Sequence, residues 1–205
     1  MKKNFRFCIL FALIFLFNTL IVKAEREIKY VDSEIRNGII YSKNEKIPYN
    51  GLIKDYYKNG NVKIEWTIVN GAQNGVAKSY YEDGTLKSDS IFKNNKKTGI
   101  EKIYSLDGKL VAEVPYKDEI RDGIEKQYFK NGKIIIEISF KNGIEDGNKK
   151  SFYKNGNLKY SLELKNGIEE GVFKQYYENG VLEIEAFYKN DKLEGVKRDY
   201  YKSGK

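Results

Sequence analysis

The chain has 205 residues, with 37 Lys+Arg against 29 Asp+Glu for a net charge of +8, a single cysteine and no histidine. The missing histidine removes the commonest general base, the usual partner of a Ser or Cys nucleophile and the commonest zinc ligand. Lone Cys8 permits no intrachain disulfide. Acidic and basic residues are interspersed instead of gathered into a basic patch, which argues against a nucleic-acid partner.

The N-terminus differs in kind from the rest. Lys2, Lys3 and Arg6 lead into an apolar run from Phe7 to Val22, followed by the small-x-small motif Val22-Lys23-Ala24. This layout predicts a signal peptide over residues 1–24, cleaved before Glu25. The alternative is an uncleaved anchor, the one route by which membrane contact is expected. Cys8 stands at the start of the apolar run, whereas a lipid-attachment cysteine belongs at its end. Cleavage would remove Cys8 and four basic residues (Lys2, Lys3, Arg6, Lys23), bringing the charge from +8 to about +4. The expected location is therefore periplasm, cell surface or medium.

Residues 25–50 read as an N-terminal cap. Asn37-Gly38-Ile39-Ile40-Tyr41 and Pro48-Tyr49-Asn50-Gly51 resemble half of the unit that recurs from residue 51 onward, with Pro48 near an edge, where a missing N–H costs least.

From residue 51 to 205 the sequence repeats. Gly51, Gly75, Gly99, Gly123, Gly147, Gly171 and Gly195 are spaced 24 residues apart, and so are Gly60, Gly84, Gly108, Gly132, Gly156, Gly180 and Gly204. With Gly51 as position 1, positions 9 and 10 are Asn-Gly or Asp-Gly in six units, the strongest short hairpin signal. Each unit is expected to be a hairpin with a two-residue type I′ turn at 9 and 10, strands at about positions 2–8 and 11–19, and position 8 opposite 11, 7 opposite 12 and 4 opposite 15. The last pairing sets Lys54 against Glu65, Lys78 against Asp89, Lys102 against Glu113, Lys126 against Glu137 and Lys174 against Glu185, with Lys150 facing Ser161. That register gives an apolar face of positions 7, 12, 14, 16 and 18, and a wet face of 2, 4, 6, 13, 15 and 19 with a small apolar column among its charges.

A second turn signal follows each hairpin, at Asn70-Gly71, Asn142-Gly143 and Asn166-Gly167, with Asn94-Asn95, Asp118-Glu119 and Asn190-Asp191 elsewhere. The fold class expected is all-β: an elongated, single-layer antiparallel meander of six and a half tandem hairpins, roughly 58 Å long at 4.8 Å per strand.

The recurring Gly-x-x-Lys-x-Tyr-Tyr-x-Asn-Gly, followed by Leu or Val and then Glu, resembles the bacterial variant of the MORN repeat. The match covers about Asn50 to Lys205. The resemblance implies a hairpin ribbon with a scaffold or binding role. Bacterial relatives are often labelled antitoxins of toxin–antitoxin systems, and eukaryotic MORN proteins are linked to membrane tethering and self-assembly. The units here are longer and carry fewer glycines than the eukaryotic pattern, and phosphoinositide binding is not carried over.

The candidate binding strip combines positions 4 and 6: Lys54, Tyr56, Lys78, Tyr80, Lys102, Tyr104, Lys126, Tyr128, Lys150, Phe152, Lys174, Tyr176, Arg198 and Tyr200. Aromatic faces and ammonium groups in one line suit an anionic or carbohydrate partner. The plainer alternative has the tyrosines stacking between strands and the lysines pairing with position 15. Trp66, the sole tryptophan, falls on the apolar face at position 16 and is read as core. No loop carries the alternating Asp/Asn ligands of a calcium site, and no carboxylate pair stands out from the repeat as a glycosidase would require. No metal, cofactor or catalytic residue is expected. The function expected is an exported, non-enzymatic scaffold binding a protein or cell-surface component; the alternative is an antitoxin or immunity protein. Because residues 200–205 stop inside a seventh turn, weak self-association through an open edge is a further expectation.

Overall fold

The computed structural model describes residues 26–203, so the leader and its cleavage motif lie outside the described residues. Strands follow one another down the chain. The cap holds β1 (Glu27–Lys29), a 3-10 turn (Tyr30–Asp32), β2 (Ser33–Arg36) and β3 (Ile39–Ser42). The repeats hold β4 (Gly51–Tyr56), β5 (Val62–Val69), β6 (Ala72–Tyr80), β7 (Leu86–Lys93), β8 (Lys96–Tyr104), β9 (Leu110–Lys117), β10 (Ile120–Arg121), β11 (Gly123–Tyr128), β12 (Ile134–Lys141) and β13 (Ile144–Phe152). They continue through β14 (Leu158–Lys165), β15 (Ile168–Glu169), β16 (Gly171–Tyr176), β17 (Leu182–Lys189), β18 (Lys192–Leu193) and β19 (Arg198–Asp199). From β4 onward the chain forms one continuous antiparallel meander, in which the two-residue β10, β15 and β18 share the partner strands of β11, β16 and β19, namely β9, β14 and β17. The exception is at the N-terminal edge, where β1 runs parallel to β4.

The hairpin turn differs from the sequence expectation. In the first unit Gly60 N–H donates to Tyr57 C=O (3.0 Å) and Tyr57 N–H to Asn61 C=O (2.8 Å), which defines a three-residue loop over 58–60. Only Gly60 takes positive φ (88°); Asn59 stays right-handed. The reason is local. Asn59 Oδ1 accepts the N–H of Asn61 (3.0 Å), an Asx bond repeated by Asp83, Asn131, Asn155 and Asn179, and it favours a type I turn closed by a left-handed glycine over type I′. Position 7 therefore faces 11, and position 6 faces 12 as in Tyr56↔Val62, correcting the expected 8–11 and 7–12 pairs. A bulge between positions 12 and 14 then absorbs the offset, so every expected 4–15 pair is present, from Lys54↔Glu65 to Lys174↔Glu185. The type I′ geometry belongs to the second turns, where Asn70 and Gly71 have φ of 51° and 75°, and Asn142 and Gly143 have 51° and 84°.

The bulge also exchanges the residues near the turn between faces. Position 12 lies with position 6, while position 13 lies beside the ring at position 7: Lys87 Nζ is 5.6 Å from the Tyr81 ring and Lys159 Nζ 5.8 Å from Tyr153. Positions 14, 16 and 18 stay together on the sheltered face, opposite 5, 3 and 1.

Between units a larger irregularity recurs. Trp66 faces Ala77 and Ile68 faces Gln73, so Asn74, Gly75 and Val76 together face Thr67. The same expansion lies between Ile138↔Lys149 and Phe140↔Glu145. Gly75 carries it at φ 123° and Gly123 at φ 122°, values accessible essentially to glycine alone. An added Cβ on Gly123 would lie 3.1 Å from Pro115 Cβ.

The core is thin. Tyr49, Ile53 and Ile68, at most 2% exposed, form the one fully buried cluster among the described residues, with Ile28, Ile40 and Trp66 against it. Trp66, at position 16, packs against this core but is itself only partly buried. Further along, buried hydrophobic side chains fall to one per unit, Ala77, Val114, Ile138, Leu164 and Ala186, joined by the polar Ser90 and Glu125. Hydrogen bonds stitch the units together instead. Position-7 tyrosines donate to the position-6 carbonyl of the next unit: Tyr57 to Tyr80 (2.8 Å), Tyr81 to Tyr104 (2.9 Å), Tyr153 to Tyr176 (2.7 Å) and Tyr177 to Tyr200 (2.9 Å). Ser105 and Phe129 lack this clamp, since one is too short to reach and the other has no hydroxyl.

Two glycine ladders with different duties give a direct test. Gly132 has φ 81° with nothing within 4 Å of an added Cβ, so Gly132→Ala should cost about 1 kcal/mol. Gly123→Ala adds the Pro115 contact to a φ that alanine avoids and should cost about 3 kcal/mol. Denaturant midpoints of the two variants check this ordering.

Candidate binding face

The face opposite the sheltered one presents three parallel columns. Along strand one of each hairpin run positions 2, 4 and 6; along strand two, position 17 faces 2 and position 15 faces 4. The structure brings the position-4 and position-6 residues of the sequence-derived strip onto this one face.

The middle column is a row of alternating charge. Each position-15 acid lies opposite a lysine of its own hairpin and, across the next strand, opposite the following lysine, as in Lys54↔Glu65↔Lys78 and Lys102↔Glu113↔Lys126. Contact is selective. Lys126 reaches Glu137 at 4.0 Å and Lys174 reaches Glu185 at 3.3 Å, whereas Lys78 turns to Glu65 of the preceding unit (3.8 Å) and Lys54 to Glu27 of β1 (2.7 Å). Arg198 closes the row on Glu185 (3.6 Å). These ammoniums are partly exposed, so each pair is worth about 0–1 kcal/mol. At Ser161, flanked by Lys150 and Lys174, the row lacks its carboxylate.

The tyrosine column is tied to the charge row. Tyr80 Oη donates to Glu65 (2.9 Å), Tyr128 to Glu113 (2.7 Å) and Tyr56 to Glu27 (3.2 Å). Burial first, and then the neighbouring carboxylate, pushes Tyr80 and Tyr128 each up to about 12. Tyr104 is raised for the same reasons, with Asp89 as its acid. Phe152 has no hydroxyl to contribute. Lys78, Lys126 and Lys174 pair with position-15 acids as in the plainer sequence reading, but Lys54 pairs with Glu27, the tyrosines hydrogen-bond to carboxylates where that reading had them stacking, and Lys102 and Lys150 have no ion pair within 4 Å among the described residues.

The third column was only glimpsed in the sequence. Positions 2 and 17 pair Val76 with Ile91, Ile100 with Pro115, Ile124 with Ser139 and Val172 with Phe187. Val76, Ile91, Ile100, Ile124 and Phe187 are all between 44% and 54% exposed, so the column is a stripe of apolar surface facing water. Asn148 and Glu163 interrupt it in the fifth unit. A signal for it was present, because position 2 is Leu, Val or Ile in every unit but the fifth.

On the sheltered face, sequence reasoning missed charge altogether. Positions 23 and 3, four residues apart, hold Lys97–Glu101 (2.9 Å), Arg121–Glu125 (3.2 Å) and Glu145–Lys149 (2.9 Å). Lys97 and Arg121 also sit over rings at position 18, Lys97 at 4.9 Å from Tyr116 and Arg121 at 5.2 Å from Phe140. The opposite signs at 23 and 3 were readable, but four-residue spacing carries no meaning in a regular strand.

These features define a single-layer ribbon of tandem β-hairpins whose units differ mainly in which side chains they expose. A family model for the MORN repeat variant matches residues 49–70, 73–94, 97–118, 121–142, 145–166 and 169–190, and the chain belongs to that family. No curated protein sequence matches the chain significantly. MORN repeats are generally protein- or membrane-binding scaffolds and generally non-catalytic.

Raised tyrosine values carry a pH signature. A hydroxyl whose folded value exceeds its unfolded value of 10.0 stabilises the fold below pH 10 and loses that contribution as pH rises toward 12. The tyrosine contribution to stability should therefore be constant up to about pH 10 and be lost above it. Tyrosinate absorbance should show a late-titrating pair near 12, and Glu65→Gln should bring Tyr80 part of the way back toward 10.

Proposed function

We propose that this protein is an exported, non-enzymatic binding scaffold that engages a protein or another component of the cell surface at the cell envelope. The observation that carries the reading is the half-exposed apolar stripe at positions 2 and 17, repeated from Val76 to Phe187 beside a row of alternating charge. Apolar surface held in water by a rigid periodic backbone is a surface to be covered. The alternating charges supply register, because a partner shifted by one strand meets the wrong sign at every position. Membership of a family of binding scaffolds and the signal-like leader support the same reading.

Uniform repetition also argues for binding over catalysis: no carboxylate pair on this face departs from the period, and the tyrosines that would donate protons are bonded to the acids that would accept them.

Fractionation of producing cells tests the reading first. Recovery from the envelope or the medium is expected, and recovery from the cytoplasm alone overturns it. The double variant Ile100→Lys, Ile124→Lys should then melt within a few degrees of the parent, since both side chains are already about half in water, yet lose retention on isolated envelopes.

A further inference from the structure

The sheltered face changes character at its N-terminal end. At position 16 the later units carry Ser90, Val114, Ile138, Leu162 and Ala186, where the first unit has Trp66; the position-23 place is polar or charged from Gln73 until Leu193, whereas the cap fills it with Tyr49. Here the β2–β3 hairpin of the cap lies against the sheltered face, through Ile40 N–H to Gly71 C=O (2.9 Å) and Tyr49 N–H to Ile40 C=O (2.9 Å). The two parts do not close on each other. Between them is a cleft of about 210 Å3, lined by Tyr30, Ile35, Ile40, Ile53, Trp66 and Gln73 among others.

We propose that this cleft binds a small neutral ring compound carrying a hydrogen-bond-accepting oxygen, of the aryl ketone or aryl ester class. The site lies on the face opposite the apolar stripe, so it is independent of the binding function above. None of the residues lining it is charged, and an ion placed there would lose its hydration without a counter-charge, so the ligand is neutral. The ring follows from the lining. Tyr30 and Trp66 pack as a tilted aromatic pair, with centroids 5.7 Å apart at 48°, and form one wall of the cleft with Ile40 and Ile53 nearby, while Tyr30 and Ile35 remain 51% and 64% exposed at the rim, as apolar surface awaiting cover. Size limits the ligand to one ring: a cavity of about 150 Å3 accommodates benzene, leaving room here for a short substituent.

The oxygen follows from Gln73. Its Nε2 is buried from solvent and has no hydrogen-bond partner among the described residues. The backbone behind it is fixed, with Gln73 N–H donating to Asn95 Oδ1 (2.6 Å) and Gln73 C=O accepting from Asn95 N–H (2.9 Å), so the amide is presented from a rigid base. A buried donor left unsatisfied is costly, and a ligand carbonyl seated against Trp66 would relieve it.

Trp66 is the sole tryptophan, so its indole resonance is identified without assignment effort. Acetophenone, toluene and benzoate should be titrated into the full-length protein while the Trp66 indole and Gln73 side-chain amide resonances are followed. Acetophenone should shift both saturably, toluene should bind about five- to tenfold more weakly, and benzoate should not bind. Gln73→Leu should abolish the preference for acetophenone while retaining toluene binding. If that variant fails to fold, Ile35→Asp on the exposed rim should weaken both neutral ligands without loss of structure. The absence of any saturable shift, or equal binding of toluene and acetophenone to the parent protein, overturns the proposal.

Discussion

Every repeat depends on the place where three residues of one strand lie opposite one of its neighbour. In a regular strand, side chains four apart on the same face are separated by about 13 Å, too far for an ion pair. The expansion around the position-1 glycine gathers the chain, so that Lys97 meets Glu101 at 2.9 Å and Arg121 meets Glu125 at 3.2 Å. Because the expansion adds two residues, parity is preserved, and positions 23 and 3 still point to the same side as 16 and 18. A single-layer sheet cannot build a deep hydrocarbon core. This one supplements it with folded-over ion pairs and rings, which explains how Glu125 comes to be 6% exposed without unfolding the unit around it.

A ribbon held this way is strong between neighbours and indifferent to distance, as expected of a quasi-one-dimensional array. Its links are not equal. Tyrosine clamps bind the first three units to one another and the last three likewise, whereas Ser105 and Phe129 leave the central junctions to backbone pairing and the sheltered ion pairs Arg121–Glu125 and Glu145–Lys149. The open face is the complement of this arrangement. With stitching assigned to the turns and the sheltered side, positions 2 and 17 are released from structural duty and can carry apolar side chains into water.

Much of this was legible in the sequence because it is periodic. Two glycine ladders gave the unit, the 4–15 charge pairs gave the central register, and Asn70-Gly71 and its equivalents gave the type I′ turns between units. The first turn was misread because Asn-Gly serves two loop types: type I′ needs positive φ at both residues, whereas the observed loop needs it only at Gly60, with Asn59 free to make its Asx bond. The 4–15 charges could not expose the error, since the bulge at position 13 returns the strands to the same pairing. The sheltered ion pairs were hidden for a similar reason: their spacing is meaningful only once the expansion is known. In the candidate strip, the lysines and tyrosines were placed on one face correctly, but the apolar stripe beside them was passed over as a minor column.

The central claim is that two irregularities compensate within each hairpin, and the most direct test is the cross-strand backbone contact just inside the turn. In nuclear Overhauser spectra of the full-length protein, Ile134 should contact Tyr128 while Glu137 contacts Lys126, matching the paired positions 6–12 and 4–15. A contact from Ile134 to Phe129 in place of Tyr128, with Lys126–Glu137 retained, would mean an unbulged two-residue hairpin and would contradict the account.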